Sequence, residues 1–326
     1  MKDTLLEVAY LGSESYHLET SGEQNSPVPL SPGVFPARFS QVNRANQNFA
    51  SIQSYFFGAN ANYNALQATL KRRSASGLQY QAVYTYSKSM DTKSLIAGGE
   101  SHQETVTMLD FHDLRRDYAR SSFDAQQNFV FATTYPVPFR FQRKAVAWVL
   151  GGWIVNGIGS FRAGAPFTAQ VNFNRSANGD RWSPDRPNLN PGFSNNPTSG
   201  VTAGCTAGGV KIPAGQPLGT PDRWFDPCAF SLPTAGTYGN LGRNTLTGPG
   251  LATVDASLQK VFKPRERIDM QFRVEVFNMF NRANFNNPGY AIFASSGAYI
   301  GGAGRIGSLN RSADPREIQF GLKVIF

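Results

Sequence analysis

The sequence lacks any run of about 18 apolar residues, so it holds no transmembrane helix. Its most apolar stretch, AVAWVLGGWIV from Ala145 to Val155, is short and is broken by Gly151 and Gly152. Charge is scarce: only 16% of the 326 residues are charged, and the mean hydropathy is −0.33. Uncharged Asn, Gln, Ser, Thr and Gly fill the gap, a mixture suited to strands with one wet face and to turn-rich loops. The first residues, MKDTLLEVAYLGSES, do not read as a signal peptide, because Asp3 and Glu7 interrupt them and no small-residue cleavage site follows an apolar core. An export signal is therefore expected upstream of this sequence.

Reactive residues are equally sparse. The three histidines, His17, His102 and His112, do not lie beside a Ser or Cys in a nucleophile motif. Neither G-x-S-x-G nor H-E-x-x-H occurs, so the sequence gives no sign of an enzyme. LDFHDLRRDY groups Asp110, His112, Asp113 and Asp117, but one imidazole is a poor metal set, and a solvated loop with Asp–Arg pairs is expected there. GAGRIG, Gly302 to Gly307, satisfies G-x-G-x-x-G without the acidic residue about 20 positions on that a dinucleotide site uses, and reads as flexible loop. No cofactor is expected. Two cysteines, Cys205 and Cys228, are too few for structural zinc, and a disulfide closing one loop is the better use. The net charge of +9 is spread through loops and turns, so no nucleic-acid partner is expected.

What the sequence does contain is alternation. About eight segments have period two: Thr4–Tyr10, the stretches from Tyr63 and Leu78, Asn128–Tyr135, one from Trp153, Ala252–Phe262, Ile268–Phe280 and the ending Arg316–Phe326. Ile268, Met270, Phe272, Val274 and Val276 oppose Asp269, Gln271, Arg273 and Glu275. The connections run to about 50, 7, 40, 17, 80, 5 and 35 residues, long and short in turn. An up-and-down transmembrane β-barrel has this asymmetry, with short periplasmic turns such as RSASG, PFRFQRKAVAWVLG and KPRER and long extracellular loops. A β-sandwich shares the alternation of strands but not the segregation of loop lengths. The predicted fold is all-β and antiparallel, with apolar sides toward lipid and polar sides toward the lumen.

Several stretches, in order, carry a resemblance: YNALQATLKRRSASGLQYQAVYTYSKSMD, GGWIVNGIGSFRAGAPFT, DRPNLNPG, WFDPCAF, GTYGNLGRNTLTGPG, VDASLQKVF, QFRVEVFNMFNRANFNNP and DPREIQFGLKVIF. Together they resemble the Oar-like branch of the TonB-dependent outer-membrane receptors. The resemblance implies a plugged barrel of roughly 22 strands, opened for uptake by TonB. Residues 1–326 would then be its C-terminal portion, the plug, an N-terminal regulatory-like domain and the signal peptide lying elsewhere. It implies four partners: outer-membrane lipid, the barrel-assembly machinery, the TonB complex through the N-terminal part, and a bulky ligand of unknown identity. Phe320, Leu322, Val324 and Phe326 would form the C-terminal assembly signal. Lumen-facing candidates are Asp269, Gln271, Arg273, Glu275, Gln319 and Lys323, and the loop from about 172 to 251, stapled by Cys205–Cys228, is the expected ligand contact. The alternatives are a surface structural or adhesion protein anchored by the same barrel, and a soluble carbohydrate-binding β-protein that refolds without detergent.

Overall fold

The computed structural model describes residues 3–94, 108–139, 141–180, 185–265, 268–309 and 314–326. Eight strands run in sequence order through one antiparallel sheet, which a two-residue strand, Ala119–Arg120, joins at the end of the third: β1 (Thr4–Glu23), β2 (Gln53–Arg73), β3 (Gln79–Asp91), β4 (Gln127–Pro136), β5 (Trp153–Arg162), β6 (Leu251–Arg265), β7 (Ile268–Phe277) and β8 (Glu317–Ile325). Each pairs with its chain neighbours, so β1 and β8 are the two edges of the sheet. Four connections, 24–52, 92–126, 163–250 and 278–316, leave one end of this wall. The intervening 74–78, 137–152 and 266–267 leave the other.

Register fixes which residues share a side, because directly paired residues point the same way. On one side Ala68, Tyr84, Phe129, Phe161 and Ala252 form a row across β2 to β6. Lower down, Trp153, Lys260, Phe272 and Leu322 continue it across β5 to β8. Most of this side is apolar. Tyr10, Tyr86, Phe129 and Phe161 mark it near the long connections, and Tyr80, Tyr135, Trp153 and Phe262 near the short ones. Aromatic bands at both ends of an apolar band are what a membrane-crossing wall presents to lipid.

The structure extends the first two expected strands. β1 continues from Tyr10 to Glu23, and β2 begins at Gln53 rather than Tyr63. Their alternation lapses after Tyr10 (Gly12, Ser13, Glu14, Ser15), but backbone pairing continues there, so polarity no longer reports the strand. A bulge at His17, whose φ is 56°, shifts the register between Ser15 and Leu18. The seventh strand stops at Phe277, short of the expected Phe280. Asn278 turns the chain with φ 45°, and its backbone N–H donates to Asp255 Oδ1 at 2.8 Å. The expected turn PFRFQRKAVAWVLG contains α1 (Lys144–Leu150), a short helix whose apolar residues are too few to show a helical period. Arg140, Glu266 and Arg267 in the short connections, and His102, lie outside the described residues.

Candidate ligand-handling surface

The second side of the wall is polar. One row runs through seven strands without a break: Arg73, Gln79, Thr134, Asn156, Ser257, Glu275 and Gln319. Thr134 Oγ1 donates to Asn156 Oδ1 at 2.9 Å, and Asn156 Nδ2 donates to Ser257 Oγ at 3.1 Å. Side-chain pairs of this kind stabilise adjacent strands by fractions of about 1 kcal/mol each. They also leave further donors and acceptors free for water or solute. Near the short connections the same side forms a recess of about 840 Å³, lined in part by Lys71, Arg73, Gln79, Gln81, Thr134 and Asn156.

The sequence-expected lumen candidates all fall on this side. Gln271 pairs with Lys323 and Glu275 with Gln319, while Arg273 Nη1 lies 3.5 Å from Glu275 Oε1. The row is not uniformly polar, since Asp269 pairs with Ile325. Phe320, Leu322 and Val324 lie on the opposite, apolar side, in register with Val274, Phe272 and Met270. Phe326 follows them and is 98% exposed.

The long connections are not separate loops. They fold together into a cap with a core of its own. Phe167, Val171, Ile212, Phe225, Phe230, Leu246, Ile292 and Phe293 are buried there, drawn from 163–250 and 278–316. Residues Gln170–Val171 and Ala291–Phe293 join these two connections as a parallel pair, and Tyr299 stacks on Phe293. Cys205 and Cys228 are bonded, with an S–S distance of 1.98 Å, and join a small hairpin (Cys205–Ala207 with Val210–Ile212) to this core. The expected ligand loop thus contributes a buried part, Phe225–Phe230 and Leu246 among it, to the cap core, while 191–222 stays mostly exposed or half-buried at its surface.

A buried ion pair and buried hydrogen bonds tie the other two connections to it. Arg243, in 163–250, donates to the Asp91 carboxylate and carbonyl at the end of β3, and to Asp117 O at 2.7 Å. Arg186 Nη2 reaches Asp117 Oδ1 at 2.8 Å, and the other Asp117 oxygen accepts from Leu109 N at 2.7 Å. Arg44, in 24–52, meets Glu23 at 3.3 Å and donates to Gly179 O, also at 3.3 Å. Burial lowers the pKa of Arg186, the neighbouring Asp117 opposing the shift. Burial pushes the Asp185 carboxyl up to about 6, against the hydrogen bonds it accepts from Ser176.

The solvated-loop reading of LDFHDLRRDY is corrected in part: the expected Asp–Arg pairs form, Arg115 with Asp113 at 3.2 Å, and His112 and Arg115 are exposed, but the segment is not solvated throughout. Asp110 and Asp117 are buried, Asp110 lying 3.3 Å from Arg116, because the segment is covered by residues far along the chain. His112 Nε2 sits 3.2 Å from Ser26 Oγ. Arg243, Arg186, Arg44, Asp91 and Glu23 gave no sequence signal, since partners such as Asp91 and Arg243 stand 152 residues apart. GAGRIG is also a packed turn rather than flexible loop. Gly304 has φ 76°, its carbonyl accepts from Trp224 N at 2.6 Å, and an added Cβ would lie 3.0 Å from Phe225 O. Among the described residues no three His, Cys, Asp or Glu side chains gather as a metal set.

With the geometry in place, comparison with known proteins is informative. No curated protein matches the sequence. One similar solved structure is the outer membrane transporter YddB from Escherichia coli, at 8% identity and a TM-score of 0.44. The similarity covers 99% of this chain and 30% of that one. The outer membrane beta barrel domain family matches residues 1–319. That membership points to a non-enzymatic role, sets aside the soluble carbohydrate-binding reading and accounts for the outward apolar side. The chain belongs to the outer membrane beta barrel domain family, a family of the bacterial outer membrane.

Proposed function

We propose that residues 1–326 are the C-terminal wall of an Oar-like, TonB-dependent receptor that captures a bulky ligand at its surface cap and imports it through a plug-gated lumen. The observation that carries this reading is the uninterrupted polar row from Arg73 to Gln319, a wettable belt across seven strands on the side away from the apolar one. Asp269, Gln271, Arg273, Glu275, Gln319 and Lys323 face the lumen in this reading. Phe320, Leu322, Val324 and Phe326 present the terminal strand to the assembly machinery. The edges β1 and β8 pair with strands of the remaining barrel, because an unpaired edge in a membrane leaves backbone groups unsatisfied. The TonB contact, the plug and the regulatory-like domain belong to the N-terminal part.

A second reading has its own support. The cap carries a packed core and buried ion pairs, as a folded surface module would, so the wall could serve as its anchor and transport nothing. Uptake in the producing bacterium separates the two. Cells lacking this gene, and cells lacking TonB, are fed oligopeptides, oligosaccharides or metal chelates as sole source. Import predicts one nutrient lost in both. Normal growth on every source with loss of surface adhesion would establish the anchor and sink the importer.

A further inference from the structure

α1 sits where no transport role needs a helix. It follows β4 in the short connection 137–152, and its Trp148 ring lies 5.1 Å from that of Phe262, on the outward apolar side of the wall. Lys260 belongs to the same outward row and is only 4% exposed. Its ammonium group donates to Trp148 O and, at 3.0 Å, to Val149 O, closing the helix's last turn. Trp153 Nε1 donates to Val149 O as well, at 3.0 Å, and the Lys260 ammonium stands 4.6 Å from the Phe262 ring centre. The wall therefore holds the helix through three of its own outward-facing residues.

What the helix presents outward is apolar. Trp148, Val149 and Leu150 are each more than half exposed, and so is Phe139 before them. From Val137 to Val155 the sequence has no acidic residue, while Arg140, Arg143 and Lys144 fall within it. Arg143, at the helix start, is exposed. Apolar side chains flanked by cations, with no acid among them, match a membrane interface carrying negative headgroups. The patch is continuous with the lipid-facing side of the wall, so the same bilayer covers it.

We propose that the segment Phe141–Leu150 is an in-plane foot seated in the periplasmic leaflet, with Trp148 at headgroup depth and Arg143 recruiting acidic phospholipid. The foot fixes the depth of the wall at β4 to β6, independently of what the lumen carries.

The test uses the full chain, extracted folded from outer membranes and reconstituted in bilayers of choline phospholipid with or without an acidic phospholipid. Heat-modifiable migration on gels checks the fold of every variant. The fluorescence difference between wild type and Trp148→Phe isolates Trp148 from Trp153, Trp182 and Trp224. Expected is stronger quenching of that difference by lipids brominated near the headgroup than by lipids brominated deep in the chain. Spin-labelled acidic lipid should associate preferentially, and Arg143→Gln should lower that preference by up to about fivefold. Quenching by aqueous acrylamide without lipid quenching would place the helix in the periplasm and overturn the proposal. Protection from both quenchers would mean a protein covers it, which overturns it equally. An unchanged lipid preference in Arg143→Gln would remove the acidic headgroup from it.

Discussion

The wall and the cap place the same residue types in opposite ways. In the wall Phe320 is 70% and Leu322 62% exposed, while in the cap Phe225 and Phe230 are fully buried. Both arrangements obey one rule, that apolar area leaves water. In the wall it leaves water for lipid, so the apolar side turns outward and no interior needs filling. The cap stands in water on the other side of the aromatic band and must make its own core. The polar groups follow suit. Between its two edges the wall backbone is satisfied by strand pairing, whereas the irregular cap backbone draws on Asn, Asp and Arg side chains, such as Asn178 donating to Leu109 O at 3.1 Å.

If this division is real, damage to one region should spare the other. The largest effect is expected for Arg243→Ala, which leaves the Asp91 carboxylate buried without its cation. Removing one partner of a buried pair costs about 3–5 kcal/mol. Hydrogen exchange should rise in 108–126, 163–180 and 185–250, while the strands keep their protection and the heat-modifiable migration is unchanged. Loss of both together would show that the cap and wall are one cooperative unit.

The next effect lies in the wall. Val274 and Gln271 are three residues apart on β7, on opposite sides. Val274→Lys, on the lipid side near mid-strand, should cost about 2–4 kcal/mol of unfolding stability in bilayers. Gln271→Lys meets Lys323 across the strand pair, in water, and should cost no more than about 1 kcal/mol. Equal costs at the two positions would erase the distinction between lipid and lumen sides.

The comparison also explains what could be read in advance. β3, β4 and β6 to β8 were legible because lipid on one side and water on the other favour period two between them, whereas β5, interrupted by Gly157 and Gly159, alternates most weakly. That period named Asp269, Gln271, Arg273 and Glu275 as one side before any register was known. It failed for the outer half of β1, where residues up to Glu19 are mostly exposed on both sides and Thr20–Glu23 are buried in the cap, and for α1, whose apolar residues answer to an interface rather than a face. The cap was illegible for a different reason. Its core joins Phe167 to Ile292, and its ion pairs join Asp91 to Arg243, so nothing local marks them. Arg186 and Arg243 read as loop cations because their partners are set by how four connections meet.

The smallest effect sharpens the cap's side of the comparison. Asp185 is fully buried, with Ser176 N and Oγ donating to it. Its pKa is raised from 3.8 to about 6, burial outweighing those hydrogen bonds. A carboxyl raised on folding contributes stability that is whole below its unfolded value and is lost as pH rises through its folded one. Between pH 4 and pH 6 this group alone should therefore make the cap easier to open as pH rises, by about 2 kcal/mol in all. Other carboxylates, such as Asp117 held by Arg186, pull the opposite way, so the wild-type profile by itself decides nothing. The difference between wild type and Asp185→Asn cancels them. Asparagine keeps an oxygen for Ser176 N, and the Ser176 hydroxyl can turn to accept from the new amide. Protection of cap amides in the variant should match wild type near pH 4 and exceed it at pH 7. Wall amides should show no such difference, since their strands contain no part of this site.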